Sequence, residues 1–336
     1  MSASAQFTAD LKVELEPPLD LAASLRPFGR WGDDGIDRWD GQTLVRTVQI
    51  EGGRTIPYAA RVGADPSHPS LEVAIPAAGA PNAEQIAAAV GATFVTVPPE
   101  LEALAVEDER VGRLARLYPG IVPVLVPDPF SALIRSISAQ QVNLRWASTV
   151  RRRIAERYGS RHEVGREFVY SLHPAPLATA SVEGLRAIQL TTAKAWSVLA
   201  CAQAAISGEL DRRDLEPLND EELIAHLTRL RGIGRWSAEW FLARTLGRPR
   251  VVAGDLGVRK AIGRLYAVSD LPSEEEVRRL TEHWGASATA VQALALYDLA
   301  ASEAGVARHP ESGGSRRARS SGRRPTAKAV LTTGSA

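Results

Sequence analysis

Leu71, Val73 and Ile75 alternate with Glu72 and Ala74, the period of two expected of a strand with one buried face. Gln42 to Glu51 is β-rich and runs into the turn signal Gly52-Gly53. Asn82, with Gln85 three residues on, predicts a capping box opening an Ala-rich helix that Gly91 ends, and Thr93 to Val97 reads as a further β-branched, aromatic stretch. From about Pro98 the pattern turns helical. Asp128-Pro129 is an N-cap followed by proline in the first turn, after which Phe130, Leu133, Ile134 and Ile137 recur at helical spacing. Further helix starts stand at Asp220 and at Ser273, where Glu276 completes a capping box. The pattern predicts an α+β protein: a flexible start over 1–16, a small antiparallel β-sheet domain with helices over 17–108, an all-α domain over 109–306, and a tail over 307–336.

The tail is Ser/Gly/Arg/Pro-rich and too poor in apolar residues to offset its ordering entropy, so we expect it to be disordered. The 336 residues suffice for two domains, and 45% apolar with 24% charged is ordinary globular composition that selects no function. The single cysteine, Cys201, closes no internal disulfide and cannot supply the four thiolates of an iron–sulfur cluster. The N-terminus lacks the pattern of a signal peptide, and no uncharged apolar run is long enough to span a membrane, so neither secretion nor membrane residence is expected. The histidines, His226 and His283 among them, have no metal-ligand spacing.

Net charge is only +1, but its distribution is uneven. From Arg308 on, seven basic residues face one acid, Glu311. Residues 229–264 hold nine basic residues against Glu239 and Asp255, a local +7 that reads as a footprint for phosphates or as a merely solvated face. Across and just before that window Glu221 to Leu230 predicts an amphipathic helix, Arg231-Gly232-Ile233-Gly234 a tight turn, and Arg235 to Leu246 a second helix stopped by Gly247. Such a hairpin is common in helical domains. Its glycines would also let a phosphate approach the backbone, with N–H groups at the second helix's start donating to it, a contact that reads no sequence. The sequel, Val251 to Lys260, sets Asp255 at the start of another helix.

Leu230 to Ala238 together with Gly254-Asp255-Leu256-Gly257-Val258 resembles the helix-hairpin-helix DNA glycosylase superfamily. Within it the chain is most similar to the alkylation-repair branch, 3-methyladenine DNA glycosylase II. Asp128-Pro129-Phe130, Ile137 and Gln140-Gln141 resemble that branch's first α-domain helix, and Gly184 to Ile188 with Lys194-Ala195 its turn before the hairpin. The resemblance spans residues 17–304 and is motif-specific only near 128–142 and 230–260.

The resemblance implies a base-excision repair enzyme that flips a damaged base from double-stranded DNA and hydrolyses its N-glycosidic bond. Asp255 would be the catalytic carboxylate, stabilising an oxocarbenium-like sugar and orienting water; a plain N-cap is the simpler role. Members that also cut the backbone carry a lysine two residues after the second glycine. Trp236 stands there, so the resemblance implies a monofunctional glycosylase leaving an abasic site. Trp236 and Trp240 share a helix face and, with Leu256, would line the base pocket, where indole stacking favours a cationic alkylpurine; the alternative for both tryptophans is core. Gly232, Gly234, Arg235 and Ser237 would hold DNA, and Gln141 would fill the gap left by the flipped nucleotide, or else be a buried amide. No cofactor is implied beyond a possible structural monovalent cation at the hairpin, and no nucleotide cofactor. The family suggests a monomer in the cytoplasm, associated with the nucleoid. Leu256 replaces an aromatic of some relatives, and Gly285 to Thr289 lacks their Trp/Tyr-Arg pair. The lesion stays open among 3-methyladenine, 7-methylguanine, hypoxanthine and ethenoadducts. A non-catalytic helix-hairpin-helix protein that recognises lesions or junctions is the reading from another class. Excision of mismatched or oxidised bases is disfavoured without cluster cysteines and the lysine.

Overall fold

The computed structural model describes residues 7–305, apart from 51, 52, 64, 66 and 270. The predicted tail therefore lies outside the described residues. Strands β1 (Phe7–Glu14), β2 (Arg38–Trp39), β3 (Thr43–Ile50), β4 (Arg54–Val62) and β5 (Ser70–Pro76) form an antiparallel sheet in the order β1-β5-β4-β3-β2. β1 corrects the flexible start expected over 1–16, because Leu11, Val13 and Glu14 pair with Val73, Leu71 and Ser70. Helices α1 (Leu21–Arg30) and α2 (Ala83–Gly91) cover the sheet, burying Leu25, Phe28, Ile86 and Val90 against Leu44, Leu71, Val73 and Ile75. α2 starts where expected, but Asn82 caps nothing: its side-chain oxygen accepts from Arg54 instead. Of the stretch 93–97, only Phe94 makes a β-bridge, to Val124.

The helical body has two cores. Helices α3 (Glu100–Glu107) and α4 (Glu109–Leu117) lead into it, with Asp108 as the N-cap between them. Then come α5 (Pro129–Ala139), α6 (Leu144–Tyr158), the strands β6 (Ser160–Val164) and β7 (Glu167–Ser171), α7 (Pro174–Ala178), α8 (Val182–Ala187), α9 (Thr192–Ile206) and α10 (Arg212–Leu215). The series closes with α11 (Asp220–Thr228), α12 (Arg235–Arg244), α13 (Leu256–Tyr266), α14 (Glu274–Thr281) and α15 (Ala288–Glu303). The larger core gathers Leu133, Ile137, Ile154, Val198, Leu227 and Phe241 from α5 to α12. The smaller one joins Leu104, Val111 and Leu114 of α3 and α4 to Val258, Ile262, Trp284 and Val291 of the C-terminal helices. Asp128 caps α5 by accepting from Ser131 N at 2.8 Å, as its spacing predicts, and Ser273 caps α14 by accepting from Glu276 N at 3.1 Å, although the Glu276 side chain makes no return bond to complete the expected box.

The β6–β7 hairpin corrects the all-α expectation for 109–306. Its turn is short, Gly165-Arg166, with Gly165 at φ 61°, and Val164 and Val169 pack on Val45 of β3 rather than on the helices. Only two of its residues are buried apolar, so the period-two signal is faint in the sequence.

A buried ion cluster joins sheet to helices. Asp34 and Asp37, on the loop between α1 and β2, meet Arg46 of β3, Arg135 of α5 and Arg151 of α6. Burial pushes the Asp34 carboxyl up, but Arg135 and Arg151 outweigh it and hold the pKa down to about 2. A folded pKa below the unfolded value contributes stability that is present above about pH 4 and lost as pH falls toward 2. Wild-type unfolding free energy, measured by urea titration, should therefore drop on the order of 2 kcal/mol across that window from this group, and Asp34→Asn should remove that part of the slope while lowering stability at pH 7.

Candidate active site

The hairpin forms as predicted, with α11 and α12 joined through residues 229–234. α11 opens with a capping box in which Asn219 and Glu222 exchange side-chain and backbone hydrogen bonds. Gly232 takes φ 77° and presses on α9: a Cβ there would stand 1.9 Å from Ser197 Oγ. Gly234 differs. Its φ of −102° suits any residue and nothing lies within 4 Å of an added Cβ, so the fold does not demand glycine there. As the N-cap of α12 it has no side chain to satisfy the first-turn N–H groups.

Asp255 is the N-cap of α13, half-buried, its Oδ1 accepting from Val258 N at 3.0 Å. Its Oδ2 accepts from the indole N–H of Trp236 at 3.1 Å. That bond spans the two helical cores, since α12 belongs to the larger and α13 to the smaller. The segment before Asp255 is fixed as well. Val252 N donates to the buried Gln292 side chain at 2.8 Å, and Asp255 N donates to Val252 O at 2.9 Å. Leu256 lies beside the carboxylate and is 55% exposed.

The other predicted residues scatter in informative ways. Trp240 is half-buried against the larger core, apart from the Trp236–Asp255 bond. Ser237 is 1% exposed and its hydroxyl accepts from Gln140 Nε2 at 3.2 Å, so its side chain faces inward and only its backbone remains for a phosphate. Arg235 is engaged by Glu221 and Glu239. Gln141 is exposed at φ 54°, just past the end of α5. The +7 window is partly neutralised by the fold: Arg248 and Arg250 pair with Asp220, Arg250 also with Glu239, and Arg264 with Asp298. On the hairpin turn, Arg231 instead lies over the Trp196 ring at 4.9 Å.

Two residues that sequence reasoning missed hold this site together. Gln140 donates to Gly232 O at 2.9 Å, tying the end of α5 to the hairpin. Gln292 is a lone amide in the otherwise apolar run Val291 to Leu294, a signal for a buried backbone partner that the pattern did offer. Lys194 adds a third tie, donating to Ser138 O at 3.0 Å, and burial lowers its pKa. Among the described residues no group of three or more His, Cys, Asp or Glu could hold a metal ion.

Residues 134–286, which include the hairpin, Trp236 and Asp255, match the family model for "HhH-GPD superfamily base excision DNA repair protein". DNA-3-methyladenine glycosylase 1 of Schizosaccharomyces pombe is 30% identical over 182 residues, covering 52% of this chain and 75% of that protein. The chain belongs to the HhH-GPD superfamily, in its 3-methyladenine DNA glycosylase II branch. A second relative, the DNA-3-methyladenine glycosylase of Bacillus subtilis (strain 168), is 27% identical over 183 residues, 54% of this chain. The match spans only 60% of that relative's length. The fold is shared with the 3-methyladenine DNA glycosylase of Archaeoglobus fulgidus at a TM-score of 0.72 and 24% identity, over 86% of this chain and 98% of that one. That coverage extends the likeness to the sheet, outside the stretch that the HhH-GPD model matches.

Gly232→Ala forces both a close contact with Ser197 and a left-handed alanine, and should lower urea-measured stability by about 2 kcal/mol or more. Combining it with Ser197→Gly should recover the part due to the contact and leave the part due to φ.

Proposed function

We propose that this protein is a monofunctional DNA glycosylase that hydrolyses the N-glycosidic bond of alkylated purines, with N3- or N7-methylated bases as the main class, flipped out of duplex DNA. The observation that carries this reading is the Asp255 carboxylate, half-buried, capping α13 and held by the Trp236 indole across the seam between the two cores. An acid needed only as an N-cap has no use for a second donor reaching from another helix.

The chemistry follows from charge. A purine methylated at N3 or N7 is already cationic, so when the bond from the sugar breaks, the electron pair goes to a base that leaves neutral. No general acid is required. What the reaction needs is an anion near the sugar carbon, where positive charge develops, and an oriented water to complete the hydrolysis. Asp255 supplies the anion, and its two fixed hydrogen bonds keep it from turning away as charge builds. Trp236 occupies the position at which lyase relatives carry their amine, so the product is an abasic site on an intact strand.

DNA is held by the hairpin's backbone. The side-chain-uncapped N–H groups of α12 donate to a phosphate that the open space at Gly234 lets approach, helped by the positive end of the helix dipole. Arg231, stacked on Trp196 rather than paired with an acid, supplies cationic charge at the same turn. Gln141 stands exposed at the end of α5, tied to the hairpin through Gln140, and serves as the side chain that enters the emptied stack.

Asp255→Asn should cut release of methylated purines by about 10²–10³-fold or more while duplex affinity is kept. Chromatography of released bases, beside a gel-shift titration, checks both. Wild-type protein should break the strand only after alkali treatment. Nicking without alkali would exclude the monofunctional reading, and binding with no base release from wild type would favour a lesion-recognition protein.

A further inference from the structure

A cavity of about 630 Å³ opens where the sheet meets the helical body, and none of its lining residues belongs to the candidate active site. The size falls within the ~300–1,000 Å³ of small-molecule sites. One wall is apolar, with Val48 and Ile50 of β3, Ala89 of α2 and Leu125, beside Tyr58. The other is guanidinium, with Arg46, Arg135, Arg151 and Arg212.

The charges behind that second wall do not balance. Arg46, Arg135 and Arg151 are neutralised by only two carboxylates, Asp34 and Asp37. Arg212 donates to the carbonyls of Pro127 and Thr245, which carry no charge; its acid, Glu216, is 3.4 Å away and exposed. Arg244 makes no ion pair among the described residues; burial, with Arg135 and Arg46 nearby, lowers its pKa to about 10. Asp128 also lines the cavity, but it is engaged by Ser131 N, and burial raises its pKa.

Arg46 lines the cavity at the centre of this excess. Its side chain is 5% exposed, its Nε donates to Asp37 Oδ1 at 2.5 Å and its Nη2 to Leu125 O at 3.2 Å, while its guanidinium lies 5.1 Å from the Phe28 ring centroid. Its Nη1 makes no hydrogen bond and is itself closed off from the cavity. An uncompensated buried charge is unfavourable. An anion in the cavity offsets the excess of cations over carboxylates.

We propose that this cavity binds a small organic anion, its oxyanion group, phosphate or carboxylate, seated against Arg46 and its apolar or aromatic body lying between Val48, Tyr58 and Leu125. The site is distinct in residues from the one that would take the damaged base, and its ligand bears on the junction of sheet and helices.

Three probes separate the oxyanion from the body: phenyl phosphate, phenylacetate and benzyl alcohol. Each is titrated into the full chain by calorimetry and thermal denaturation. At least one of the two anions should bind saturably and raise Tm by about 2–4 °C near saturation, while benzyl alcohol should not; which anion prevails names the oxyanion. Ala89→Phe fills the apolar wall without touching the ion cluster and should abolish that binding with base release from methylated DNA unchanged. Arg46→Met should abolish it too, although it also strips Asp37 of a partner, so Ala89→Phe is the deciding variant. Equal binding of benzyl alcohol, failure of both anions to bind, or anion binding undiminished in Ala89→Phe would each overturn the proposal.

Discussion

Glu239 is 1% exposed, and its Oε1 meets Arg235 at 3.1 Å, Arg250 at 3.1 Å and Arg278 at 2.8 Å. These four side chains come from α12, the segment leading to Asp255, and α14. A carboxylate withdrawn from water survives only if it is well paired. The arrangement therefore fixes the second hairpin helix against the element that carries the candidate carboxylate. Trp236 lies one turn before Glu239 on the same helix, so the distance from its indole to Asp255 is inherited from the clamp. The hairpin and the acid are close in sequence, but their geometry is set by a contact that also recruits Arg278 of α14, well beyond the hairpin.

This explains what the sequence revealed and what it concealed. The hairpin, the N-caps Asp128 and Ser273 and the helix following Asp255 were legible because each depends on spacing within a few residues. The fate of the basic window was not. Nine basic residues look like a surface until the fold brings Asp220, Glu221, Glu239 and Asp298 to four of them, and those partners sit on three different helices. Gln140 and Gln141 show the same limit on a smaller scale. They are identical in chemistry and adjacent, yet the end of α5 turns one inward to the Gly232 carbonyl and leaves the other exposed in a left-handed backbone. No local pattern distinguishes them. The β6–β7 hairpin escaped because its burial is against the sheet of the other unit, so its apolar residues are few and its alternation weak.

The two buried charge clusters do different physical work. Around Glu239 one anion is surrounded by cations, and the surplus positive charge of Arg235 is shared with exposed Glu221. Around Asp34 and Asp37 the cations outnumber the acids in a place that water reaches only through a cavity. The first closes the seam that carries the candidate chemistry. The second closes the seam between sheet and helices and leaves a donor on Arg46 unused.

The smaller helical core has a consequence for how the chain is made. Apart from Ala23, its buried apolar residues come from 104–121 and again from 251–295, with all of the larger core except Ile36 inserted between. At ribosomal rates of about 5–20 residues per second, α3 and α4 wait roughly 7 to 27 seconds for the partners that cover Leu104, Val111 and Leu114. During that interval the larger core can assemble as a unit of its own, whereas the N-terminal helices present a bare apolar stripe to the cell. The corner in which Trp236 meets Asp255 is consequently among the last parts of the molecule to exist, completed only when the C-terminal helices have returned to the place where the chain entered.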